Sequence, residues 1–288
     1  MPAEPGPLTM RCAVLGDPIE HSLSPALHRA AYDDLGLAGW SYDAIRVPAG
    51  GLAEFVGGLG GPWPPSPWRG LSVTMPLKRE AHALADSLSP RARLAGSVNT
   101  LVRTSTGWAG DNTDLAGAVA AVRERTGAEI TRGAILGAGA TAASTGLALV
   151  ELGARSVTLL ARDVTRAREA LSVIAGHPAA PQVSVLPLEA HPEAEILVST
   201  VPARAQTPGL VDRWRDVPVL FEVVYDPWPT PLAAAATGTV VTGLDLLAHQ
   251  AVAQFELYTS RTPDLEVMRR AGRRALGVER AEESVPPG

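Results

Sequence analysis

Ala134-Ile-Leu136-Gly137-Ala-Gly139-Ala-Thr-Ala142 is the stretch on which the fold turns. A short apolar strand signal runs into two glycines set one residue apart, and a helix signal follows at once. In a unit of this kind the first glycine permits the tight turn and the second lets backbone approach a pyrophosphate. Ala142 takes the third small position, where helix meets sheet. The helix N-terminus then offers unsatisfied N–H groups to the anion. The spacing predicts a dinucleotide-binding strand-turn-helix, against the plainer reading of a tight turn with no ligand.

Working outward, further strands are expected at 157–161, 183–186, 196–199, 219–223 and 240–242, with helical segments between several of them. Strands that alternate with helices imply a parallel sheet covered on both faces, and right-handed crossovers make it doubly wound. Upstream, strands at 12–15, 41–47, 71–73 and 97–103 alternate with helices from Ser24, over 51–59 and from Met75. The run Gly110-Asp-Asn-Thr-Asp114 opens a helix to about 125. Residues 60–67 read as a Pro/Gly/Trp loop, and amphipathic helices close the chain at 244–258 and 264–276.

The 288 residues are 46% hydrophobic and 19% charged, enough for a sizeable core divided between two domains. With 28 glycines and 25 prolines the chain is turn-rich but short of low complexity. A net charge of -5 gives no basic excess for a phosphate backbone, so nucleic acid is not an expected partner. Cys12, the one cysteine, forms no intrachain disulfide, and a reducing cytoplasm suits it. Residues 1–10 lack the basic and apolar regions of a secretion signal and read as a loose leader. Residues 133–150 carry no charge, and Gly133 and Gly137 match the spacing of membrane helix pairs. The glycines, Thr141, Ser144 and Thr145 dilute that run, which reads better as a buried strand entering a turn. No membrane association is expected.

Chemistry gathers at a few places. After the strand at 157–161 the chain reads Ala161-Arg162-Asp163, where a ribose is expected. Arg162 suits a 2′-phosphate and Asp163 a 2′-hydroxyl, so the two argue against each other, and NADP is favoured over NAD. His21-Ser22-Leu-Ser24-Pro25 sets two hydroxyls on one side of an extended segment ahead of a helix. That suits a carboxylate, although Ser24 also serves as an N-cap before Pro25. In Ser72-Val-Thr74-Met-Pro76-Leu-Lys78 a strand ends and a helix begins, with Thr74 as the expected N-cap. A lysine in the first turn opposes the helix dipole, which a partner carboxylate or a catalytic task explains; a solvated surface lysine is the alternative. Asp114 stands at another helix start, where a carboxylate is favoured on structural grounds alone. If the two strand ends are neighbours, Asp114 can hold Lys78 charged beside a substrate carbonyl. Asn99, in Gly96-Ser-Val-Asn99-Thr100, adds an amide.

Rival chemistries are weak. The histidines at 21, 28, 82, 177, 191 and 249 show no metal-ligand spacing, and no metal is expected. Ala142-Ala-Ser144-Thr-Gly146 lacks the first glycine of a nucleophile elbow and places its serine inside a helix.

Taken in order, the motifs resemble the shikimate dehydrogenase family from about residue 11 to 276. Gly16-Asp-Pro-Ile-Glu-His-Ser22-Leu-Ser24-Pro-Ala-Leu-His28 is similar to the family's opening substrate loop, and Val73-Thr74-Met-Pro76-Leu-Lys78 to its lysine motif. Gly96 to Thr100, Gly110 to Asp114, Val224-Tyr225-Asp-Pro227-Trp-Pro-Thr230-Pro231-Leu and Gly243-Leu-Asp-Leu-Leu-Ala-His-Gln250-Ala resemble the remaining blocks. The resemblance implies two α/β domains: a mainly parallel substrate domain and a Rossmann-type doubly wound NADP-binding domain. Because the family's closing helices return to the substrate domain, that domain is expected at 9–114 plus 249–278 and the dinucleotide domain at 115–248, with flexible ends at 1–8 and 279–288. The family places its substrate in the cleft between its domains.

The implied reaction is reversible hydride transfer between NADPH and 3-dehydroshikimate, a step of aromatic amino-acid precursor synthesis. By resemblance Lys78 and Asp114 form the catalytic pair, Ser22 and Ser24 bind the substrate carboxylate, and Thr74, Asn99, Tyr225 and Gln250 contact its other polar groups. Gly137, Ala138, Gly139, Ala140, Thr141, Arg162, Thr200, Val201 and Gly243 are implied at the cofactor.

Three departures stand out. Ser72 replaces a frequent Asn, Ala140 a frequent glycine, and Ala161 the Asn that commonly precedes the arginine. Two other readings stay open: a quinate/shikimate dehydrogenase using NAD through Asp163, and a non-catalytic nucleotide- or metabolite-sensing relative. The oligomeric state is open too, a homodimer being one compatible arrangement.

Overall fold

A computed structural model of the protein describes residues 10–61 and 66–277. The expected flexible ends at 1–8 and 279–288, and part of the expected loop at 60–67, lie outside the described residues. The chain divides into two compact units: the described residues up to Thr113 with those from Ala251 onward, and Asp114–Gln250.

In the first unit the chain runs β1 (Met10–Gly16), α1 (Ser24–Asp34), β2 (Trp40–Arg46), α2 (Leu52–Gly57), β3 (Trp68–Val73), α3 (Lys78–Leu84), β4 (Ser87–Leu88), α4 (Pro90–Ala95), β5 (Thr100–Arg103) and β6 (Trp108–Asp111). The sheet order is β2-β1-β3-β5-β6-β4, parallel throughout except for β5. Period-two alternation sends Ala13 and Leu15 to one face, where they pack with Leu71, Leu101 and Trp108. Cys12 faces the other way and is fully buried; burial pushes its thiol up to about 12, which keeps it protonated.

Two sequence expectations fail here. The helix expected from Met75 starts at Lys78, and Thr74 is not its cap, since Leu77 holds the N-cap position and no side chain bonds there. The residue before a proline is pushed away from helical geometry, so Met75-Pro76 forms a turn closed by the Leu77 N–H on the Thr74 carbonyl. Ser24 does not cap α1 either. Leu23 already has helical angles (φ -82, ψ -12), so the segment around Ser22 and Ser24 is not extended, and Ser24 is the first helical residue. The pieces β4, α4 and β6 were not anticipated, and the strand expected over 97–103 begins only at Thr100.

The second unit holds β7 (Arg132–Leu136), α6 (Ala140–Glu151), β8 (Ser156–Ala161), α7 (Val164–Ala175), β9 (Gln182–Pro187), β10 (Ile196–Ser199), α8 (Pro208–Trp214), β11 (Val219–Glu222), α9 (Pro231–Ala235) and β12 (Thr239–Thr242), with α5 (Thr113–Arg125) leading in. All six strands are parallel in the order β12-β11-β10-β7-β8-β9. Strand order reverses between β7 and β10, the switch point where a doubly wound sheet receives a dinucleotide at its carboxyl edge. The uncharged run at 133–150 is buried strand, turn and helix, with every residue of α6 from Ala142 to Val150 covered. Among the described residues no helix is long and apolar enough to cross a membrane.

Helix α10 (Gly243–Thr259) carries the chain out of the second unit, and α11 (Leu265–Leu276) follows; α11 packs on α1. Phe255 and Tyr258 of α10 join His28, Tyr32 and Tyr42 in an aromatic cluster. His28 is fully buried and stacks on Tyr42 at 4.1 Å between ring centroids. Burial pushes its pKa from the ordinary 6.5 down to about 3, opposed by the side chain of Gln254. Between those two values the unfolded chain binds a proton that the folded chain refuses. Stability is therefore complete above pH 6.5 and falls with decreasing pH, by about 1.4 kcal/mol per pH unit across the window. Chemical denaturation at pH 6.5 and pH 5.0 should show a loss of about 2 kcal/mol that His28→Phe largely removes. An equal loss in both proteins would assign the acid sensitivity elsewhere.

Candidate active site

The first sheet gathers its polar groups by topology. Because β5 runs against its neighbours, its leading residues meet the carboxyl end of β3: Ser72 pairs with Thr100, and the Val73 N–H donates to the Asn99 carbonyl at 2.7 Å. The Asn99 N–H in turn donates to the Asp111 carbonyl at the end of β6 (3.1 Å). Beyond β1, the Thr74 N–H reaches the Leu15 carbonyl at 2.8 Å and the Asp17 N–H reaches the Met75 carbonyl at 3.0 Å. The loop that carries Ser22 and the turn that carries Thr74 are thus laced together. Lys78, half-buried, opens α3, and its carbonyl accepts from Val98 N–H at 2.9 Å, one residue from Asn99. Ser22, Ser24, Thr74, Lys78 and Asn99 are accordingly brought to one edge of one sheet.

Asn99 is itself held rigidly. Its Oδ1 accepts from the Thr113 N–H at 2.8 Å and from the Thr100 hydroxyl at 2.8 Å, and its Nδ2 donates to Thr113 Oγ1 at 3.0 Å. Thr113 is the residue before Asp114, so the amide fixes the start of α5 and with it the point from which the Asp114 side chain departs. Asp114 lies in the first turn of α5, where the helix dipole favours a carboxylate.

In the second unit Gly137 adopts φ +114, a conformation that side-chain-bearing residues avoid, and a Cβ there would overlap Thr200 Oγ1. Thr200 anchors this contact by donating its N–H and its hydroxyl to the Leu136 carbonyl, at 2.9 and 2.8 Å. Gly139 differs: its φ of -86 suits any residue, and a Cβ there would meet no protein atom within 4 Å. Ala140 and Thr141 form the first turn of α6. A cavity of about 320 Å³ lies along this edge, lined by Gly137, Ala138, Leu160, Ala161, Arg162 and Asp163 with Leu188 and Val201. Donor backbone at a helix N-terminus, an adjoining cavity bordered by Gly137 and Ala138 and an exposed guanidinium at its rim fit a dinucleotide. The Asp163 carboxylate is engaged as the N-cap of α7, accepting from the Thr165 N–H at 2.9 Å. Of Arg162 and Asp163, the two residues expected near a ribose, Asp163 thus has a structural task.

Two residues that sequence reasoning overlooked organise the far side of this edge. Glu222, fully buried at the end of β11, accepts from Gln206 Nε2 (2.7 Å), from the Thr230 hydroxyl (2.8 Å) and from the Val224 N–H (3.2 Å). Burial raises its pKa, and those donors offset part of the cost of leaving it in the interior. It ties the loop after β10, which carries Thr200 and Val201, to the loop that carries Tyr225. Burial, with Asp226 adjacent, raises the Tyr225 phenol above its ordinary 10 and keeps it protonated, a donor. Gly243 begins α10 pressed on the Val223 carbonyl, which a Cβ would overlap. The other residue is Gly117 in α5: a Cβ would come within 2.9 Å of Gln250 N, so the bare backbone lets α10 approach closely. Asp245 locks the same contact. Although burial opposes its ionisation, the Arg125 guanidinium at 2.6 Å and the Thr242 N–H and hydroxyl hold its carboxyl below the usual range. Asp114 and Gln250 are the first and last residues of the second unit. No group of three or more His, Cys, Asp or Glu side chains suited to a metal occurs among the described residues.

Comparison with known proteins gives a consistent picture. Residues 14–101 match the shikimate dehydrogenase substrate binding domain, and residues 243–271 match the shikimate 5'-dehydrogenase C-terminal domain. The shikimate dehydrogenase (NADP(+)) of Methylobacterium radiotolerans is 38% identical over 269 residues, covering 88% of this chain and 93% of that protein. The crystal structure of Mycobacterium tuberculosis shikimate dehydrogenase superposes with a TM-score of 0.82 at 41% identity, over 92% of this chain and 99% of that one. The Thermus thermophilus shikimate 5-dehydrogenase, solved in complex with NADP(H) and shikimate, gives 0.81 at 32% identity, over 93% and 100%.

Proposed function

The chain belongs to the shikimate dehydrogenase family, and from that premise we propose how its residues carry out NADP-dependent, reversible reduction of 3-dehydroshikimate to shikimate. NADP(H), when bound, supplies or accepts the hydride. Lys78, as an ammonium, donates a proton to the C3 oxygen in the reducing direction and recovers it in the other. The Asp114 carboxylate stabilises that charge and orients the amine. Ser22 and Ser24 hold the substrate carboxylate, while Thr74, Asn99, Tyr225 and Gln250 fix the ring through its remaining oxygens. Asn99 has Nδ2 as its donor end, since its oxygen accepts from the Thr113 N–H and the Thr100 hydroxyl, and the same Nδ2 also donates to Thr113 Oγ1. Gly137, Ala138, Gly139, Ala140 and Thr141 cradle the pyrophosphate, and Thr200, Val201 and Gly243 border the same edge. The reading includes a cytoplasmic location, which suits a chain whose one cysteine is a free, buried thiol.

The observation that carries the reading is the gathering of Ser22, Ser24, Thr74, Lys78 and Asn99 at one sheet edge, with Asn99 holding the residue before Asp114. The test is absorbance-monitored reduction of NADP⁺ by shikimate, compared with quinate and with NAD⁺. Arg162 is the expected reader of the 2′-phosphate, since Asp163 caps α7. Arg162→Ala should raise KM for NADP⁺ by about 10–100-fold, the loss of a charge-assisted contact, and leave KM for NAD⁺ nearly unchanged. Equal effects on both coenzymes would remove Arg162 from this role.

A further inference from the structure

A polar chain buried in the first unit runs from two tyrosines to Asn99. The Tyr42 hydroxyl donates to Ser72 Oγ at 2.6 Å, and Ser72 Oγ donates to Gln254 Oε1 at 2.8 Å. The Tyr258 hydroxyl lies 3.0 Å from the same oxygen. Since the one proton of Ser72 goes to Gln254, Tyr258 is a second donor to it. Gln254 Nε2 donates to the Asn99 carbonyl (3.3 Å) and to Thr100 Oγ1 (3.1 Å). Thr100 Oγ1 passes its own proton to Asn99 Oδ1 at 2.8 Å. Tyr42, Ser72, Asn99, Thr100, Gln254 and Tyr258 are all at most 3% exposed.

The polarity of this chain is dictated at both ends by backbone. The Asn99 carbonyl only accepts, so the amide of Gln254 must turn its nitrogen there and its oxygen to Ser72. The Thr113 N–H only donates, so Asn99 must turn its oxygen there, and its Nδ2 donates to Thr113 Oγ1 at 3.0 Å. Gln254 joins the two constraints, because its N–H leaves the Thr100 proton no better destination than Asn99 Oδ1.

We propose that Gln254 is a positioning residue for substrate binding: through Thr100 it adds a second hydrogen bond, beside that of the Thr113 N–H, that holds Asn99 Oδ1 in place and so steadies the amide in the orientation in which Nδ2 is its donor end. The inference rests on the reading of Asn99 as a substrate contact. It assigns to the fourth residue beyond Gln250, on the same helix, a task that acts through another side chain.

The test is steady-state kinetics of Gln254→Leu, Thr100→Val and Asn99→Ala, with melting temperature and NADP⁺ affinity measured in parallel. Gln254→Leu should raise KM for shikimate about tenfold, with kcat and KM for NADP⁺ within about twofold of wild type. A purely structural role would lower the active fraction and melting temperature and leave KM alone. Combined with Asn99→Ala it should add nothing further to KM, since both act on one contact. Thr100→Val, which cuts the chain beside Asn99 and spares Gln254, should reproduce the KM effect and serves if Gln254→Leu does not fold. If Asn99→Ala leaves KM for shikimate unchanged, the reading of Asn99 fails and the proposal with it. If Asn99→Ala raises KM while the folded Gln254 and Thr100 variants do not, the reading stands and the proposal is overturned.

Discussion

Lys78→Met should leave a folded protein that binds NADP(H) yet turns over shikimate about 10²–10⁴-fold more slowly, the range expected when a general acid is removed. The stability side of this expectation comes from the helix. Lys78 is the first residue of α3, where the dipole disfavours a cation by about 0.3–1 kcal/mol, so methionine at that place relieves a penalty. Glu80, in the same turn, suits the dipole and anchors the helix by accepting from the Gly50 N–H at 2.7 Å. A melting temperature that holds or rises while kcat collapses would separate chemistry from folding. Wild-type kcat in Lys78→Met would end the proposed proton transfer, and Asp114→Asn should produce a smaller fall of the same kind.

The second large effect contrasts two glycines of one turn. Gly137→Ala should weaken NADP(H) binding about 10–100-fold and lower the melting temperature as well. The positive φ imposes roughly 1–3 kcal/mol of strain on a side-chain-bearing residue, and the new methyl overlaps Thr200. Gly139→Val should weaken NADP(H) binding to a similar degree yet lower the melting temperature of the unliganded protein less, because its φ is an ordinary one and a Cβ there meets no protein atom within 4 Å, which leaves only the smaller cost of a poorer N-cap for α6. Titration calorimetry with NADP(H), beside thermal melts, reads both. A Gly139→Val protein with wild-type affinity would deny that the cofactor backbone passes there.

These contrasts mark how far the residues alone could be read. The second unit was legible because its strands are short Val/Leu/Ile-rich runs, apolar or alternating, and because Gly137 and Gly139 carry turn chemistry in their spacing. The first unit was less so. Its β4 is two residues long and β6 is four with a glycine inside, too short for any period to show. For α4 the signal was present: Ser89 caps it by accepting from the Ala92 N–H, Pro90 opens it, and Gly96 closes it in the left-handed region. Arg162 and Asp163 could not be ranked firmly from the sequence, since whether a carboxylate caps a helix or meets a ribose depends on which way the turn aims it. Glu222, Gly117 and Gln254 escaped notice for one reason. Their partners are far along the chain, and the burial that gives them tasks exists only once sheet and helices have met.

The discontinuity of the first unit sets an order of events during synthesis. Its early strands leave the ribosome first, but the surface formed by Tyr32, Tyr42 and His28 is closed by Phe255 and Tyr258. The second unit is one uninterrupted segment, Asp114–Gln250, and all of its strands are available before those two residues are made. At about 5–20 residues per second the amino-terminal half waits many seconds with an aromatic surface uncovered. Vectorial translation therefore completes the middle of this polypeptide ahead of its beginning, and nascent chains stalled short of Phe255 are the ones that should recruit chaperones.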